Sequence, residues 1–111
     1  MKIINKDILY DKENADTKRS IDMALSKLEE RLSKYVVDQK IDVGKIFNDD
    51  VLMHDIINKR YYVYKCKANN MQIRLLYTVK NNKIILISHW YKKRTDTKYI
   101  QYFENIVANC S

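Results

Sequence analysis

Residues 61–91 read YYVYKCKANNMQIRLLYTVKNNKIILISHWY, and this stretch decides the fold. Tyr61, Tyr62, Val63 and Tyr64 are β-branched or aromatic types that fit a pleated, half-buried surface. Asn69-Asn70 and Asn81-Asn82 interrupt the pattern, and asparagine tolerates the left-handed backbone of a tight hairpin turn. Between them, Ile73, Leu75, Tyr77 and Val79 share one strand face and Arg74 takes the other. Residues 83–91 start apolar on both faces, the pattern of a central strand. Three strands joined by two short Asn turns predict an antiparallel meander.

N-terminal to the meander, Ile21, Leu25, Leu28, Leu32 and Tyr35 recur at helical spacing and predict one apolar helix stripe, with Asp16 or Thr17 as N-cap. Val43, Ile46 and Phe47 fit a short second helix capped by Asp42. Asn48-Asp49-Asp50 reads as a break or as the cap of another turn, and Val51, Leu52, Met53, Ile56 and Ile57 are expected to be buried. Ile3, Ile4, Ile8 and Leu9 suggest a short first strand, and 11–16 a loop. Beyond 92–97, Tyr99, Tyr102, Phe103, Ile106 and Val107 recur at helical spacing. The expected architecture is a single α+β domain over 1–111 in the order β-α-α-β-β-β-α, its twisted antiparallel sheet packed on helices.

Charge divides the chain. Residues 1–58 balance at −2 and residues 59–111 at +9, which together make the +7 of the whole. In the second half only Asp96 and Glu104 are acidic. A sheet this basic, with aromatics between its charges, is the footprint of a polyanion partner. One Gly and no Pro exclude a glycine-rich phosphate loop. No window reaches membrane-span or signal-peptide length, which points to the cytoplasm and away from a membrane. Cys66 and Cys110 form no paired motif and are expected as reduced, partly buried thiols. With His54 and His89 they match no zinc spacing, so neither metal nor other cofactor is expected.

The residues that can carry chemistry cluster in the basic half. Arg74 can bind phosphate through its fork of donors, and Lys92, Lys93 and Arg94 can hold flanking phosphates. His89 can act as base or acid near neutral pH. Tyr91 or Tyr99 can stack a nucleobase. Lys65 and Lys67 share a strand face; edge-strand lysines also serve simply to discourage aggregation. Whether His89 shares a face with Arg74 depends on strand register, which the sequence leaves open.

The string IRLLYTVKNNKIILISHWYKKRTDTKYIQYFENIV (73–107), in this order of elements, resembles the RelE/ParE/HigB superfamily of bacterial toxins. The resemblance covers 61–107 well and the N-terminal half in order and length only. It implies a twisted antiparallel sheet with helices on one side and a concave basic face on the other. It implies metal-independent cleavage of mRNA, on the ribosome in many members, restrained by an antitoxin, here expected to be acidic; the ParE branch instead poisons gyrase. By the same resemblance Arg74 stands at the strand arginine that contacts the scissile phosphate. Lys65 and Lys67 match a lysine pair of some members. His89, Tyr91, Lys92 and Lys93 fall at the functional exit of the third meander strand. Tyr99 or Tyr102 takes the place of a C-terminal catalytic or base-stacking tyrosine. The strand glutamate that some branches use as general base has no equivalent near Lys65, and the C-terminal His or Arg-Tyr pair of other branches is missing. A nucleic-acid or protein-binding role without cleavage, or an unrelated phage or mobile-element role, is the alternative.

Overall fold

The computed structural model describes residues 3–4, 14–92 and 98–109. Strand β1 is Ile3–Ile4, helix α1 Ala15–Ser33, β2 Val36–Val37, β3 Lys40–Ile41, α2 Val43–Ile46, β4 Asp55–Ile57, β5 Tyr61–Ala68, β6 Met71–Lys80, β7 Lys83–Lys92 and α3 Lys98–Ala108. The main sheet has the order β1-β7-β6-β5-β4; β4 to β7 are antiparallel and β1 joins β7 in parallel. The chain is therefore α+β, and the meander and both long helices stand where periodicity placed them. The hairpin β2–β3 and the edge strand β4 are additions to the expected order, too short for a periodic signal.

Three hairpins turn on two residues each, and each pair sits at positive φ: Asp38 and Gln39 (51° and 66°), Asn69 and Asn70 (50° and 63°), Asn81 and Asn82 (53° and 62°). Two consecutive left-handed residues match the twist of the flanking strands. Asn supplies two of these turns where a richer chain would use Gly. The turn Asp38-Gln39 carries no such signature, which is why β2–β3 is not legible in the sequence.

Helix α1 buries Ile21, Ala24, Leu25, Leu28 and Leu32 against Tyr62, Tyr64, Cys66, Ile73, Leu75, Tyr77, Ile84 and Leu86 on one sheet face. Its cap is Asn14, not Asp16 or Thr17: the Asn14 side chain accepts from the Thr17 amide at 2.8 Å, so the helix begins earlier. Tyr35 lies past the helix end and reaches the core by another route, its hydroxyl donating to Asp49 at 2.7 Å. Asp42 caps α2 as expected. The opposite sheet face is covered in part by α3, whose Tyr99, Phe103 and Val107 pack on Ile57, Val63 and Leu76. Helices thus lie on both faces, where the family resemblance implied one.

Asp49 joins these layers. Its carboxylate accepts from Arg31 Nε at 2.9 and 3.1 Å, from the Tyr35 hydroxyl, and from the amides of Val51 and Leu52 at 3.0 Å each. Burial works to raise its pKa, but these donors outweigh it and hold the carboxyl at about 2. The turn it caps delivers Leu52 and Met53 to the core. Val51 is only partly buried, and Ile56 is 46 % exposed, against expectation, because β4 is the sheet edge and nothing described covers that side of it. No described helix is long and apolar enough to cross a membrane.

Candidate nucleic-acid interface

Cross-strand partners share a face, so register decides which candidate residues meet. Lys65 pairs with Arg74, and Arg74 pairs with Trp90. The next row, toward the Asn69-Asn70 turn, is Lys67, Gln72 and Lys92. Both rows lie on the α3 face, at the end of the sheet near the start of that helix. Lys65 and Lys67 are exposed there. His89, by contrast, pairs with Leu75, and Tyr91 with Ile73, which puts both on the α1 face; their rings stack at 5.9 Å.

His89 and Tyr91 therefore lie on the face opposite Arg74, and the cause is one residue. Tyr77 pairs with Leu86 but Leu76 pairs with Ser88, so β7 carries an extra residue, Ile87, as a β-bulge. Without it, His89 would lie directly opposite Arg74. With it, Trp90 does. A bulge re-aims every later side chain on its strand. Lys93 and Arg94 lie outside the described residues, as does Cys110, and of Lys92 only the backbone register is described.

Arg74 does not stand on an open surface. It is 4 % exposed, with its Cζ 5.3 Å from the centroid of the Tyr99 ring. Its Nη1 donates to the neighbouring Ile73 carbonyl at 3.1 Å. Its Nε is buried with no hydrogen-bond partner among the described residues, and no described carboxylate forms an ion pair with it. A guanidinium carries five N–H donors in a planar fork, a shape that matches phosphate or carboxylate oxygens.

Two residues that the sequence pattern does not single out as site residues complete the cluster. The Tyr99 hydroxyl donates to Asp55 Oδ2 at 2.5 Å, and the same oxygen lies 3.9 Å from His54 Nε2. Asp55 shares the α3 face through its pairing with Val63. Partial burial lowers the His54 pKa; Asp55 opposes this, while the charges of Arg74 and Lys65 add to it. The net shift favours the neutral imidazole, the state a general base needs. Burial and the Asp55 hydrogen bond raise the Tyr99 pKa, so its hydroxyl stays protonated. Asp55 opens β4, a three-residue edge strand with no periodicity to read, and His54 stands just before it. Cys66 is buried on the α1 face with its thiol pKa raised by burial, which leaves it unreactive. Among the described residues, no group of three or more His, Cys, Asp or Glu is placed to hold a metal.

The α3 face thus holds a buried guanidinium, two exposed lysines and the Tyr99 phenol on Asp55, with the His54 imidazole beside that carboxylate. Compared with family models, with curated proteins and with solved structures, the chain matches none.

Proposed function

We propose that this chain is a RelE-like toxin: a metal-independent endoribonuclease that cuts mRNA, free or on the ribosome, in the cytoplasm, and is held in check by an acidic antitoxin. The observation that carries the reading is the sharing of one sheet face by Lys65, Lys67, Arg74 and Tyr99, with His54 and Asp55 beside them. With β2, β3 and β4 set aside, the remaining elements run β-α-α-β-β-β-α, the order the family resemblance implies, although β1 at two residues is as short as β2 and β3.

The reading assigns each group one step. His54 takes the proton of a ribose 2′-hydroxyl, and the freed oxygen attacks the adjacent phosphorus. Arg74, helped by Lys65, stabilises the negative charge that gathers on the phosphoryl oxygens. The bond to the 5′-oxygen breaks, Tyr99 protonates that leaving oxygen, and a 2′,3′-cyclic phosphate remains. His89 and Tyr91 take no part, being on the far side of the sheet.

Induction of the chain in a bacterial host is expected to arrest growth and to cut transcripts internally. Purified protein should leave 2′,3′-cyclic ends on RNA in the presence of a chelator. If growth continues and RNA stays intact with and without ribosomes, the reading falls. The burial of Arg74 beneath Tyr99 favours a second reading, binding of nucleic acid or of a protein target without cleavage. RNA bound tightly but never cut would establish that one.

A further inference from the structure

The β7 bulge removes His89 from Arg74 and delivers Trp90 in its place. Bulges beside functional sites commonly serve to re-aim one side chain. Trp90 ends a row of three cross-strand neighbours, Lys65, Arg74 and Trp90, on adjacent strands. Two strand spacings separate its ends, about 10 Å. Along the row Lys65 is exposed, Arg74 is buried against Tyr99 and Trp90 is half-buried at the far end.

The indole has a built setting. Tyr102 of α3 lies against it, ring centroids 5.4 Å apart and tilted by 50°, and Tyr102 packs in turn on Phe103 at 5.8 Å. Phe103 is fully buried, Trp90 half-buried and Tyr102 44 % exposed. The aromatic tier therefore runs from the core to the surface and emerges beside the basic row. A large exposed aromatic at a helix–sheet seam, next to cationic donors, has the make-up of a surface that binds unstacked nucleotides.

We propose that Trp90, backed by Tyr102, is a stacking platform for one unpaired nucleobase of the strand whose phosphate meets Arg74 and Lys65. The proposal rests on the nucleic-acid reading above and assigns its substrate class: single-stranded, with little preference among bases, because every base presents a π-face.

Trp90 is the only tryptophan in the chain, so its emission reports on this site alone. The probe is a short single-stranded oligonucleotide with a 2′-deoxyribose at every position, which cannot be cut by 2′-hydroxyl attack. Titration of the full chain is expected to quench Trp90 emission saturably. The same oligonucleotide made abasic, and inorganic polyphosphate, should bind without quenching. Tyr102→Leu, at an exposed position, should fold normally and weaken binding about 10-fold or more. Trp90→Phe should keep most of the affinity, and Trp90→Leu should lose it. The platform is overturned if binding leaves the emission unchanged, if the abasic strand quenches equally, or if Tyr102→Leu binds like the parent. RNA cleavage that depends on Arg74 with silent Trp90 emission would sink the platform and leave the function standing. Base-dependent quenching without any cleavage would do the reverse.

Discussion

Asp49 and Arg74 are both buried charges, 5 % and 4 % exposed, and their surroundings treat them in opposite ways. Asp49 accepts from a guanidinium, a phenol and two backbone amides, and its own turn supplies part of that set. Arg74 donates to an adjacent carbonyl, lies against an aromatic ring, and keeps a buried Nε that nothing described satisfies. A folded chain tolerates a buried charge when its partners are built in, as at Asp49. The Arg74 Nε has no partner among the described residues, and on the proposed function a phosphate of the RNA supplies one. On that reading the contrast is between a structural charge and a functional one.

Exchanging each residue should widen the contrast. Arg74→Met is expected to lower RNA cleavage about 100-fold or more, the usual effect of removing one donor aimed at developing charge. It should not lower the melting temperature, because an apolar side chain of similar length replaces an unsatisfied cation. Thermal denaturation beside a cleavage assay checks both halves. A destabilised Arg74→Met with full activity would make Arg74 structural and erase the distinction.

Asp49→Ala should do the opposite: destabilise by about 3 kcal/mol, since four donors lose their acceptor, while cleavage per folded molecule is unchanged. The same carboxylate sets an acid limb. An unfolded aspartate titrates near 3.9, and in the fold the value is about 2. Its contribution, about 2 kcal/mol, is present above pH 4 and is lost as pH falls toward 2. Denaturant melts across that window should show the loss in the parent and not in Asp49→Ala.

A smaller effect is expected at His54. Its pKa lies below the ordinary imidazole value, so cleavage should rise with pH along an acid limb that sits lower than that of an ordinary histidine. His54→Ala should remove that limb, whereas His89→Ala should leave it in place. Smaller again, the double change Lys65→Glu and Lys67→Glu should weaken RNA binding and flatten its salt dependence, by about one unit of logarithmic slope for each phosphate no longer neutralised.

What could be read from the residues, and what could not, divides along physical lines. Periodicity carried α1, the meander and α3, because Ile21 to Leu32 and Tyr99 to Val107 each repeat a stripe several times. Asn69-Asn70 and Asn81-Asn82 carried two turns by their backbone tolerance alone. Arg74, Lys65 and Tyr99 were legible as candidates, and the fold sets Arg74 beside each of the other two. His89 was not assignable, because a single inserted residue, Ile87, inverts the face of everything after it, and no residue type announces that bulge. Asp55 opens an edge strand too short to show alternation, with His54 just before it, and Asp55 joins the α3 face only through tertiary pairing.

The most direct test of the central claim, that the α3 face around Arg74 is the RNA-binding face, is amide chemical-shift mapping with an uncleavable single-stranded oligonucleotide. The account predicts perturbations at Lys65, Lys67, Arg74, Trp90 and Tyr99, with His89 and Tyr91 on the far side changed little. Perturbations centred on His89 and Tyr91, with Arg74 and its neighbours silent, would contradict it.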